Sequence, residues 1–308
     1  MGIYGAALGT FLFTLGLPTD FFLLFVWLWL ATVAWNIDQP RGFHLRWLKD
    51  WGPLLALLIF YDLSRAAAKL FQAPHIKELP AADRAMFGGT LPTTWLQDKL
   101  YDPNHVHWWD VFASFVYMSH FVAAMTVAVV LYLRSRALWT AFMRRFLFLT
   151  AAGLLTYFVY PAAPPWWASK FGYITEHVER TSGRGWGAIG LQGTGKMLGA
   201  GQAMSNPVAA MPSLHSGWAM LIIAFFLPFV RKRWWPLLFA YPLSMTFTLV
   251  YTGDHYIIDV LVAWTYVALA FIIVGATERW WARRKRERAE ANAPMSPAVA
   301  SSPLTAVN

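Results

Sequence analysis

The chain has 308 residues, 57% of them hydrophobic and only 13% charged, with a mean hydropathy of +0.42. Soluble domains carry roughly 25% charged residues, so the composition excludes an ordinary water-soluble fold and points to a helical bundle in lipid. The lack of cysteine excludes a disulfide framework, a thiolate metal site and a cysteine nucleophile in this chain, and its 18 tryptophans fit spans that end in interfacial aromatic belts.

A bilayer crossing needs about 20 apolar residues. In chain order the sequence predicts seven such runs: 19–36, 51–71, 109–133, 142–160, 213–230, 234–251 and 256–276. The apolar stretch before Pro18 is short, and it either extends the first helix or lies in the interface. It lacks a basic leading segment and does not read as a secretory signal. The expected fold is therefore all-α: a polytopic transmembrane helical bundle of six to seven spans. Two long loops, about 72–108 and 161–212, are expected to be non-cytoplasmic and to carry short interfacial helices.

Basic residues alternate between the connections. Arg41, Arg46 and Lys49, then Arg134, Arg136, Arg144 and Arg145, then Arg231, Lys232 and Arg233 fall on one side, joined by the tail from Arg279 to Arg288. Short basic loops face the cytoplasm. The net charge of +9 thus reports topology and lipid headgroups, and no nucleic-acid partner is expected. We expect one transmembrane domain over 1–282, with a catalytic core at about 142–276. A tail over 283–308 would be basic and then disordered.

Ionisable residues in such a chain mark functional sites, and they gather at the outward ends of the last three runs. Met211-Pro-Ser-Leu-His-Ser-Gly-Trp218 opens one run, and Tyr251-Thr-Gly-Asp-His-Tyr-Ile-Ile-Asp259 joins the next two. His215 and His255 lie one helix down and one helix back, so both return to the same face. His255 and Asp259 are spaced i, i+4, which lets the carboxylate hold one imidazole nitrogen and leave the other as a nucleophile. A second histidine, His215, supplies an acid and base. This pattern suits phosphoryl transfer through a phosphohistidine, with no metal or cofactor required.

The two histidine segments resemble the second and third signature motifs of the type 2 phosphatidic acid phosphatase superfamily. Their wording is similar to its inositol phosphorylceramide synthase branch. Tyr160-Pro-Ala-Ala-Pro-Pro-Trp166, Asp83-Arg-Ala-Met-Phe-Gly-Gly89, Leu91-Pro-Thr-Thr-Trp95 and Tyr61-Asp-Leu-Ser-Arg65 extend the resemblance over about 51–265. It implies a membrane-embedded phosphotransferase with His255, His215 and Asp259 catalytic. A membrane lipid would be the substrate, and an alcohol such as inositol, or water, the acceptor.

The wider superfamily carries a Lys-x₆-Arg-Pro motif and a Ser-Arg pair that this chain lacks; Thr248-Leu249 stand where Ser-Arg would be. The phosphate must then be neutralised elsewhere. Arg65, beside Tyr61 and Asp62, is the first substitute, because a guanidinium grips phosphate well; Lys69, Arg84, Arg184 and Lys196 follow. Ser213, Ser216, Tyr160 and Asp254 complete the expected phosphate or substrate set. Ser213 reads equally as an N-cap, and Asp254 as a cap of the last run.

The other histidines, including His75 and His120, read as interface or loop residues. Gly190-Leu-Gln-Gly-Thr-Gly-Lys196 begins like a P-loop, but Met197 replaces the required Ser/Thr, so the segment reads as a lid or substrate loop. Hydrolysis of a lipid phosphate is the alternative within this chemistry. A transporter or a non-catalytic lipid-binding protein is the alternative from another class. The expected location is a plasma membrane of bacterial type, with the site on the non-cytoplasmic side.

Overall fold

Where water is absent the backbone must satisfy itself, and helices do so within one segment. The computed structural model describes residues 1–15, 21–71, 73–204 and 206–292, apart from the side chains of 12, 13, 15, 21–25, 61–71, 203 and 204. In chain order its helices are α1 (Gly2–Leu15), α2 (Phe21–Trp35), α3 (Arg41–Phe71), α4 (Glu78–Met86), α5 (Pro92–Leu100), α6 (Trp108–Arg134) and α7 (Arg136–Val159). Then follow α8 (Pro165–Lys170), α9 (Gly185–Ala188), α10 (Gln192–Met204), α11 (Leu214–Phe226), α12 (Trp235–Tyr251) and α13 (Ile257–Ala291). Two isolated bridges, His75 to Ala162 and Ala162 to Ala209, are the strand-like pairing among the described residues.

Among the described residues, α6, α7 and α13 are long and apolar enough to cross a membrane. The runs at 213–230 and 234–251 form shorter helices, of 13 and 17 residues. The first gives way to a 3-10 turn, Leu227–Phe229, at Pro228, which cannot donate to an α-helical ladder. α1 is a separate helix, not an extension of α2. It packs against α2, with Tyr4 donating from its hydroxyl to the Trp27 carbonyl at 3.3 Å. At the other terminus α13 does not stop near 276. It runs through the Arg/Glu/Ala-rich segment to Ala291, because these residues favour helix strongly. Residues 293–308, expected to be disordered, lie outside the described residues.

α11 sits centrally, packed on α6, α7, α12 and α13. Its buried Leu221 and Phe225 meet Phe142, Phe146 and Leu149 of α7 in a core that also takes in Trp47 and Trp51 of α3. At one end, Arg144 and Arg145 pair with Glu278 at 3.1 and 3.0 Å, and Arg136 pairs with Asp50. The start of α7 and the late part of α13 thus share an end, which puts the start of α13 at the opposite one. A layer of short helices, α4, α5 and α8 to α10, belongs to that opposite end. It is stitched together where Ala162 donates to Val208 at 2.7 Å and Ala163 donates to His75 at 3.0 Å, both to backbone carbonyls.

Candidate active site

The N-terminus of α11 and the turn between α12 and α13 meet at this end. Ser213 caps α11, its hydroxyl accepting from the Ser216 N–H at 3.4 Å, and its own N–H donates to the Asp259 carbonyl at 3.1 Å. The turn bends at Gly253, with φ +75. A Cβ there would also stand 2.8 Å from Val178 and 2.9 Å from the Glu179 carbonyl, so only glycine lets the 178–181 segment approach. Buried Gln97 of α5 clamps the two segments. Its amide donates to the Tyr251 and Glu179 carbonyls, each at 2.8 Å, while its oxygen accepts the Glu179 N–H at 3.0 Å.

His255 Nδ1 lies 3.3 Å from Asp259 Oδ2, and the same oxygen accepts the Tyr256 N–H at 2.9 Å. Both residues are buried, at 5% and 0% exposure. With Asp259 ionised the carboxylate only accepts, which puts the proton on Nδ1 and leaves the Nε2 lone pair free. The His215 ring centroid is 5.5 Å from that of His255, the planes inclined at 60°. His120 departs from its reading as an interface or loop residue. It is buried on α6, 4.0 Å from the His215 ring and stacked on Trp218 at 4.4 Å. Tyr117, one helical turn earlier, lies 5.0 Å from His215.

The expected cations are dispersed. Tyr61, Arg65 and Lys69 lie on the α3 backbone, but their side chains fall outside the described residues. Arg84 is engaged with Glu176 at 2.5 Å. Arg184 donates to the Asp102 and His105 carbonyls and lies over the Tyr101 ring. Lys196 is exposed on α10, with no hydrogen bond or ion pair to the described residues. The glycine-rich segment around it is largely helix, because only one of its glycines, Gly190, takes a positive φ.

A cation that sequence reasoning missed, Arg180, stands on the turn that bears His255. Its Nε donates to Asp254 Oδ1 at 2.7 Å, and its guanidinium lies 4.8 Å over the Trp166 ring. It also interacts with the Tyr117 hydroxyl, and the Tyr117 ring is the one 5.0 Å from His215. Burial pulls the Arg180 pKa down, but Asp254 and Tyr117 outweigh it and hold the group above its ordinary value, fully charged. Asp254 is therefore not the cap of the last helix. Its second oxygen accepts from the Thr252 hydroxyl at 2.8 Å. The capping falls to Asp259 and to Asp83 of α4, whose two oxygens accept the Ile257 and Ile258 N–H groups, each at 2.9 Å. Burial raises the Asp83 pKa to about 6 despite those bonds, with a further push from the Asp259 charge.

Of the remaining expected residues, Ser216 accepts from the Trp264 indole at 2.8 Å, and Tyr160 stacks on His75 at 3.7 Å. His75 in turn pairs with Glu78 at 3.2 Å. Among the described residues no group of three or more histidine or carboxylate side chains is arranged to hold a metal ion.

The family model for the PAP2 superfamily matches residues 77–273. The chain is 30% identical over 180 residues to the phosphoinositol dihydroceramide synthase of Bacteroides thetaiotaomicron, covering 54% of this chain and 57% of that one. It is 24% identical over 199 residues to the inositol phosphorylceramide synthase catalytic subunit of Schizosaccharomyces pombe, covering 64% and 46%. The corresponding subunit of Saccharomyces cerevisiae is 28% identical over 194 residues, covering 60% and 46%. The chain thus spans about half the length of the curated relatives it matches. No solved structure matches it.

Proposed function

The chain belongs to the PAP2 superfamily, and from that premise we propose that it is an integral-membrane lipid phosphotransferase working through a phosphohistidine on His255. The observation that carries this reading is the orientation of His255 by Asp259 beside His215, 5.5 Å away between ring centroids.

In the first step His255 Nε2 attacks phosphorus and a P–N bond forms as the P–O bond to the leaving alcohol breaks. His215 gives its proton to the departing oxygen. In the second step His215 takes the proton of the acceptor hydroxyl, whose oxygen attacks phosphorus as the P–N bond breaks. Asp259 keeps the Nδ1 proton in place throughout and stabilises the cationic ring of the intermediate.

The synthase names of the relatives support transfer to an alcohol over hydrolysis. Their printed products join phosphoinositol to a ceramide, so a phosphoinositol lipid with a dihydroceramide is the pair to test first, and free inositol the next acceptor. Six to seven spans would hold the site on the non-cytoplasmic side, with Arg144, Arg145 and Glu278 at the cytoplasmic end.

Purified protein given phosphatidylinositol labelled at phosphorus, together with dihydroceramide, should form a labelled phosphoinositol-ceramide lipid. His255→Ala should lower this rate by about 1,000-fold or more. Labelled water-soluble inositol phosphate in place of the lipid product would establish the hydrolytic reading instead. A His255→Ala protein with the wild-type rate would refute both.

A further inference from the structure

Two imidazoles and a carboxylate can make and break bonds to phosphorus, but they do not neutralise its non-bridging oxygens. That requires preorganised donors aimed at the developing charge. The motif position that could have carried an arginine has become core: Leu249 is fully buried, and its carbonyl accepts the Asp254 and His255 N–H groups at 3.0 and 3.2 Å. A charged side chain has no room there.

We propose that Arg180 is the phosphate-binding cation of this site, delivered from the outer loop and positioned by Asp254 and Trp166. The proposal rests on the phosphotransfer reading above and names the group that reading lacks.

Three observations carry it. First, the Arg180 backbone is fixed to the turn that bears His255. Thr181 donates to the Thr252 carbonyl at 3.2 Å, Gln97 holds Glu179, and Gly253 leaves no gap against Val178 and Glu179. Second, the guanidinium lies over Trp166, 4.8 Å from the ring centroid, with Nε bound to Asp254, which leaves its terminal donors to serve other acceptors. Its side chain is 25% exposed and that of Asp254 only 4%, so the carboxylate is enclosed while the cation keeps an open side. Third, its neighbours are those of the reaction. Arg180 is bound to Asp254, which directly precedes His255, and it interacts with Tyr117, whose ring lies 5.0 Å from that of His215 and whose hydroxyl accepts from Gln202 at 3.2 Å. A phosphoryl group between His255 and His215 would meet a fork of N–H donors in a partly desolvated place, where charge-assisted bonds are strongest.

The test is equilibrium binding of labelled inorganic phosphate to the purified full-length protein in detergent, beside donor turnover. Wild type and His255→Ala should bind phosphate saturably with similar affinity, since the nucleophile is not the anion grip. Arg180→Ala should weaken binding about tenfold or more, with donor kcat/KM lower by about 100-fold and a lower melting midpoint, since the enclosed Asp254 carboxylate loses its partner. Arg180→Gln keeps the stem on Trp166 and a donor toward Asp254. It should show the same loss, and it decides the matter if Arg180→Ala does not fold. Phosphate affinity unchanged in the folded neutral variant overturns the assignment, as does a wild type without saturable binding. A wild type that binds phosphate through Arg180 but turns over no lipid donor supports the anion site while refuting the phosphotransfer reading.

Discussion

Asp259 performs two tasks with one oxygen: Oδ2 faces His255 Nδ1 and also accepts the Tyr256 N–H that opens α13. The tautomer of the proposed nucleophile is therefore tied to the capping of the helix that follows it. Asp259→Asn keeps the size of the side chain but loses the charge that stabilises an imidazolium. We expect kcat to fall about 10⁴-fold with donor KM little changed, read from initial rates. His120 acts one step further out, as a ring wedged between Trp218 and His215. It is a positioning residue, so His120→Phe should stay within about threefold of wild type while His120→Ala loses about tenfold or more in kcat through misplacement of His215. Equal losses in the two variants would contradict packing as its role. That His215, His255 and Asp259 come together was legible because their relation is local: one i, i+4 step and one return across a helix pair. Arg180 and His120 were not. They arrive from a loop and from α6, and no spacing along the chain links them to the motifs.

α13 begins under two carboxylates, one its own and one from α4. Asp83 ties the layer of short helices to α13 by bonding the Ile257 and Ile258 N–H groups, just beyond His255. Its removal by Asp83→Ala should cost about 1–2 kcal/mol, as lost helix caps do, and should lower activity by loosening His255. The pH dependence has a definite sign. The Asp83 pKa is about 6 in the folded chain against an ordinary 3.8, so between these values the folded protein keeps a proton that the unfolded chain releases. The stability contribution is full below about 3.8, declines as pH rises through that window and is level above about 6. Melting midpoints in detergent from pH 3.5 to 7 should show a decline that is smaller in Asp83→Asn; an identical slope in both proteins would sink this account. The sequence marked the Asp83 segment by its wording alone. Its function as a cap depends on a partner 174 residues away, which no local pattern records. The run at 213–230 likewise passed over Pro228, where α11 gives way to a 3-10 turn.

On the scale of the whole molecule the ends differ in kind. Arg136, Arg144 and Arg145 are pinned by Asp50 and Glu278 at one end, while the histidines gather at the other. The alternation of basic connections made the separation of the two ends legible, because arginines and lysines cluster in alternate loops. The shorter α11 and α12 and the helical extension through the basic segment were not, since apolar runs locate helices better than they bound them. A chain without cysteine allows the orientation to be tested by single substitutions. Lys232→Cys should react with a membrane-impermeant maleimide only after permeabilisation, whereas His177→Cys should react in intact cells; the opposite pattern contradicts the proposed sidedness. The central claim is covalent transfer through His255, and single-turnover trapping tests it most directly. Protein mixed with a phosphorus-labelled lipid donor without acceptor, then quenched in base, should carry acid-labile label on the peptide containing His255, and the label should leave on addition of the acceptor. Donor turnover at the full rate with no label on that peptide at any time point would contradict the account.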